Sequence, residues 1–167
     1  MLVRLTQPGQ YAWAEDAFAP FDPETDAEVQ ASAILPLAQL LAASDTLLAG
    51  NGPLGVRIEA GEGVEDLAPF LDRLALIALV FPKFADGRAY SAAALLRERY
   101  GFTGELRAVG EVLREQAWAM ARVGFDSFEP ADGATPEDWT RAANRYRHVY
   151  QRAEDARVPV FQERADG

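Results

Sequence analysis

The chain has 167 residues, 49% of them hydrophobic and 25% charged, which suits one globular domain able to bury a sizeable core. Its 26 acidic and 16 basic residues leave a formal net charge of −10, which argues against nucleic acid and against an anionic membrane surface, because both need a basic face. With no cysteine and the single histidine His148, disulfides, thiolate zinc sites, cysteine-ligated iron–sulfur clusters, thiol redox chemistry and multi-histidine metal sites are excluded, and no metal is expected.

Residues 1–33 read as a polar, irregular N-terminal arm. The start, MLVRLTQPGQYAWAED, lacks the basic stretch and apolar core of a signal peptide, so the expected location is the cytoplasm. The arm is either mobile or a strap, and Trp13, Phe18 and Phe21 favour the strap, since isolated aromatic rings are costly to leave in water. The α/β domain is placed at 34–157 and a charged C-terminal tail at 158–167. A short helix is predicted from Pro36, which suits a first helical turn, to about Ser44-Asp45. AGNGPLG (49–55) is a connector.

About four strand–helix units follow. The first has a strand over 56–60 and a helix near VEDLAPFLDR. The second strand is LALIALVF (74–81), almost wholly apolar, as a strand covered on both faces should be, and too short to span a bilayer. A charged loop holding Lys83, Asp86, Gly87 and Arg88 leads into a helix whose Ala92, Leu95, Leu96 and Tyr100 share one face. ELRAV (105–109) is the third strand, followed by Gly110 and a helix to about Val123. FDSFE (125–129) is the fourth. Thr135 then caps a helix with Pro136 in its first turn, docked by a stripe of Trp139, Ala143, Tyr146 and Tyr150. Alternating strands and helices imply parallel βαβ units. Four strands are too few for a closed barrel. The expected fold is a single α/β domain with an open or half-barrel-like sheet, which a second copy forming a homodimer would complete.

In parallel sheets ligands bind beyond the carboxyl ends of the strands. Loops bearing Lys83 to Arg88, Gly110 with Glu111 after Arg107, and Glu129 should converge there. Lys83, Arg88 and Arg107 near a helix start would suit a small oxyanion or a carboxylate. The same residues admit a structural reading, in which Asp86 or Ser91 caps the helix, Gly87 makes the turn and Arg88 pairs with an acid. Arg107, if buried, needs a partner from Asp86, Glu105 or Glu111. Gln116 lies on the apolar face of Leu113, Ala117 and Met120, so it needs either a loop carbonyl or a ligand. Arg97, Glu98 and Arg99 read as a solvated helix face, and His148, in RYRHVYQR on the last helix, as a surface residue. No Ser-His-Asp set, P-loop, dinucleotide fingerprint or other cofactor motif stands in the sequence.

The run FPKFADGRAYSAAALLRERYGFTGELRAVGEVLREQ…ARVGFDSFE resembles a bacterial family of unknown function. The likeness lies in the F-x-K-F-x-D-G-R loop (Phe81, Lys83, Phe84, Asp86, Gly87, Arg88), the L-L-R-x-R-Y-G helix end (Leu95 to Gly101), the E-L-R-A-x-G strand (Glu105 to Gly110) and Gln116, within a stretch of about 54–129. Genes of that family lie beside assimilatory sulfite reductase, and its members are labelled oxidoreductases of sulfite reduction. The resemblance therefore implies an accessory role in sulfur assimilation, with the sulfite reductase as partner. At Val123 the chain departs from the family pattern, in which a cysteine often precedes the GFD strand, so no thiol role carries over. The alternative expectation is a small enzyme or binding module for an oxyanion or carboxylate at Lys83, Asp86, Gly87, Arg88, Arg107 and Gln116.

Overall fold

In a computed structural model the described residues are 1–21, 32–42 and 52–163. They form one eight-stranded sheet, ordered β2-β1-β8-β7-β6-β5-β4-β3, that is open and curled into a half-barrel. The strands are β1 (Leu2–Gln7), β2 (Gln10–Ala14), β3 (Ala19–Pro20), β4 (Ala33–Pro36), β5 (Leu54–Ile58), β6 (Leu74–Phe81), β7 (Glu105–Gly110) and β8 (Ser127–Phe128). Every pairing from β3 to β8 is parallel, while β1 runs antiparallel to both β2 and β8.

The four expected units are β5 to β8, and β6 has the predicted limits. The strands around them correct the reading of residues 1–33 as irregular. Leu2–Gln7 and Gln10–Ala14 form a hairpin whose inner strand pairs with β8. Its turn holds Gly9 at φ +73°, and the Pro8-Gly9 pair was the available signal for it. Neither strand is a continuous apolar run, because β1 buries only Leu2 and Val3 and β2 only Tyr11. Pro36 ends β4 rather than opening a helix, and α1 is Leu37–Ala42. Its expected end near Ser44 lies outside the described residues.

Alternation along β6 explains how the sheet is covered. Ile77, Leu79 and Phe81 face the main core with Val56, Leu106 and Phe128. The helices lie there too. A 3₁₀ segment (Val64–Arg73) contributes Leu67, α2 (Arg88–Ala94, running on into a π-turn at Leu95–Arg99) contributes Ala93 and Leu96, and α3 (Ala117–Arg122) contributes Met120. From α4 (Pro136–Ala143) comes Trp139, stacked 4.6 Å from Phe128. The other face carries Leu76, Ala78, Val80 and Val109, against which Phe18 and Ile34 pack. Phe18 and Phe21 thus pack on the domain, whereas Trp13 is half-exposed.

Helix α4 starts as expected. The Thr135 side chain accepts from Asp138 N, Asp138 returns the bond to Thr135 N, and Pro136 opens the first turn. It stops sooner than the stripe implied. Asn144 is its C-cap, so only Trp139 and Ala143 of the four stripe residues dock the helix. Tyr146 and Tyr150 lie beyond it, 50% and 82% exposed. His148 is exposed but not helical. A short helix, α5 (Val160–Glu163), closes the described chain.

Arg97 also departs from expectation. Its guanidinium donates to the carbonyls of Phe102, Gly104 (3.0 Å) and Gly124 (2.8 Å) and to Asp126 Oδ2 (2.6 Å). It clamps the turn before β7 to the one before β8, a task for which five planar donors are suited.

Candidate functional site

Two of the three loops expected to converge at the carboxyl ends are tied together. Gly110 ends β7 at φ +94°, and a Cβ there would lie 2.4 Å from the Phe81 carbonyl oxygen. Only glycine lets β7 turn this close to β6. The next amide, Glu111 N, donates to that same oxygen at 2.8 Å. Glu111 Oε2 then accepts from Phe84 N at 3.0 Å.

Gln116 completes this junction. It is buried, its Oε1 accepts from Leu113 N (3.0 Å) and its Nε2 donates to the Phe84 carbonyl (3.3 Å). Both ends of the amide are therefore engaged by backbone, which accounts for a polar group on an apolar face.

Asp86, Gly87 and Arg88 form the start of α2. Asp86 Oδ1 accepts from Arg88 N at 3.1 Å, while Gly87, in the right-handed helical region, is the N-cap. The Arg88 side chain folds back onto Asp86, with Nη2 to Oδ2 at 2.5 Å, and its Nη1 donates to Ala60 O at 3.1 Å. Hydrogen bonds from the Arg88 side chain and backbone hold the Asp86 carboxyl down to about 2, so it is charged at neutral pH. Arg88 lines an open cleft of about 100 Å³ between the end of β5 and α2, beside Glu59 and Glu62. Lys83 lies at the exposed turn of the same loop, where its carbonyl accepts from Asp86 N at 2.9 Å.

Arg107 is not in that cleft. On the strand row Ala78, Arg107, Ser127, Arg4 it lies, fully buried, on the face of the sheet that carries Leu76, Ala78, Val80 and Val109. Asp16, just after β2, holds it in a two-point pair, with Nη1 to Oδ2 at 2.7 Å and Nη2 to Oδ1 at 2.8 Å. Glu105, two residues back on the same face, meets it at 3.0 Å, and Glu129 at 3.5 Å. Glu105 also takes Arg4 and, at 2.5 Å, the Ser127 hydroxyl. Of the acids expected as partners Glu105 is used; Asp86 and Glu111 serve the loops. Asp16 and Glu129 were not foreseen as partners. For Asp16 burial raises the pKa, but the hydrogen bonds and charge of Arg107 outweigh it and the net shift is downward. The candidates thus divide into a loop cluster (Lys83, Asp86, Gly87, Arg88, Gln116) and a separate ion network around Arg107.

Residues 55–161 match the model of a family described as bacterial protein of unknown function, DUF934. The chain belongs to that family. The match covers both the loop cluster and Arg107 and reaches α5. No curated protein matches the chain. None of the described helices is long and apolar enough to cross a membrane.

Proposed function

We propose that this DUF934 protein is an accessory protein of assimilatory sulfite reduction, acting in the cytoplasm by docking on the sulfite reductase. The observation that favours docking over a small-anion site is the state of the two arginines. Arg107 is held by Asp16, Glu105 and Glu129, and Arg88 by Asp86, so the fold itself already neutralises both cations. A site made for a small anion would leave that charge for its ligand. Support for the sulfur half is the likeness of the Phe81 to Glu129 run to the family encoded beside sulfite reductase. The test is growth of a strain lacking the gene on sulfite or on sulfide as sole sulfur source. Failure on sulfite with rescue by sulfide is the expected result. Equal growth on both would overturn the role.

A second reading is a small binding or catalytic site for an oxyanion or carboxylate at Lys83 and Arg88. Its support is that both cations face solvent at the carboxyl edge of the sheet. The neighbouring carboxylates of Glu59 and Glu62 weigh against it. Complementation with Arg88→Ala separates the two readings, since the docking role predicts growth and the anion site predicts failure.

A further inference from the structure

The chain carries its charge unevenly. Between Asp138 and Glu154 stand Arg141, Arg145, Arg147, His148 and Arg152 and no carboxylate, in a protein whose net charge is −10. The early end of α4 puts this basic stretch on the surface, and residues 144–148 are exposed without a break. Arg145 lies over the Tyr146 ring, 6.0 Å from its centroid. Among the described residues neither Arg145 nor Arg147 has a carboxylate partner. By contrast, Arg4, Arg57, Arg88, Arg97 and Arg107 are each paired with an acid.

Aromatic side chains are set into this basic surface. Tyr146 meets Trp118 edge-on at 5.0 Å, and Arg122 lies over the other ring at 5.6 Å. With Val149 and Tyr150 these residues line an open cleft of about 480 Å³. Phe161, in the helix docked beside the segment through Val160 N to Val149 O (2.8 Å), is 61% exposed. Exposed Tyr and Phe over a half-buried Trp, beside Arg without a carboxylate partner, is the composition of an interface centre rather than of an idle surface.

We infer that the face formed by Tyr146, Tyr150 and Trp118, with Arg145 and Arg147, docks an acidic segment of another protein. The inference rests on the docking role proposed above and adds its face and chemistry. Charge complementarity selects the occupant. A symmetric second copy would set this same basic patch against itself, placing arginine opposite arginine. A nucleic acid would bring a continuous line of phosphates to the exposed Glu163, 2.8 Å from His148, and into the field of a strongly acidic chain. An acidic protein segment places no cation on the patch, carries fewer charges into that field than a phosphate backbone does, and can seat one or two apolar side chains in the Trp118–Tyr146 cleft.

The test titrates the full chain with a synthetic peptide alternating glutamate and leucine, with the same peptide carrying glutamine for glutamate, and with single-stranded DNA. Purified sulfite reductase is titrated separately. The glutamate peptide is expected to bind, to weaken with salt, and to weaken about tenfold in Arg145→Glu with Arg147→Glu, since two reversed exposed pairs amount to roughly that factor. Tyr146→Ala, which keeps the charge, should also weaken it. The glutamine peptide should not bind. Equal binding by wild type and the arginine variant, or tighter binding of DNA than of the glutamate peptide, would overturn the inference. Peptide binding without reductase binding would leave the face intact and remove the sulfite reductase role.

Discussion

The Asp16 carboxylate meets the Arg107 guanidinium at two points, 2.7 and 2.8 Å, across 91 residues of sequence. This pair joins the N-terminal hairpin to the central parallel strands on the sheet face that carries Leu76, Ala78, Val80 and Val109. It turns an arginine that a sequence offers as a ligand group into part of the frame.

Removing one member of this network should cost more than removing both charges together. Arg107→Leu leaves Glu105 with Arg4 as its remaining cation and Asp16 with none, and is expected to destabilise the fold by about 3 kcal/mol in urea unfolding. Adding Glu105→Leu should recover part of that loss. Asp16 is exposed, so Asp16→Asn should cost only about 1 kcal/mol. A single Arg107→Leu variant as stable as wild type would contradict the framework role.

The Asp16 pair also sets a pH dependence. The folded pKa of Asp16 lies below its ordinary value of 3.8. Its contribution is therefore complete above that value and is lost as pH falls through the lower folded value. Wild type and Asp16→Asn should differ in stability at neutral pH and converge in acid below 3.8. A constant gap from neutral to acid pH would show that the carboxylate charge is not what matters. Asp126 works in the opposite sense, since burial raises its pKa despite its bonds to Leu106 N and Arg97.

Gln116 separates a structural from a ligand role. Gln116→Ala strips the partners from Leu113 N and Phe84 O and should cost about 1–3 kcal/mol. Thermal unfolding would register it as a clear drop in Tm. Unchanged Tm with a loss of function in complementation would instead assign Gln116 to a ligand.

Gly110 is expected to tolerate no side chain. At φ +94°, with a Cβ placed 2.4 Å from the Phe81 oxygen, Gly110→Ala must either strain β7 or push it from β6. A loss of about 2 kcal/mol or more is expected, visible as a lower urea midpoint. A neutral substitution would mean that the β6–β7 junction is looser than it stands.

The central strands were legible because their signal is local. Leu74 to Phe81 is apolar at every position, and burial on both faces follows from that pattern alone. The Thr135 cap was legible for the same reason, since its donors lie within three residues. The end of α4 was not. Its last carbonyls are met by Arg157, through Nη2 to Ala143 O at 3.4 Å, and its cap Asn144 donates to Gly9 O at 2.7 Å. Both contacts come from outside the helix, so the 3.6-residue period runs on through Tyr146 and Tyr150 while the helix does not.

The residues named as site candidates were found from charge and spacing, which report residue type and neighbourhood along the chain. Periodicity and composition were enough for the α/β class, the parallel centre and the loops at its carboxyl edge, because each depends on contacts within one unit. Sheet order decided the rest. It put Asp16 on Arg107 and closed Glu105 with Arg4 and Ser127, while the Arg157 and Gly9 contacts at the end of α4 left Tyr146 and Tyr150 in the open. Such pairings depend on which distant strands become neighbours, and no spacing along the sequence encodes that.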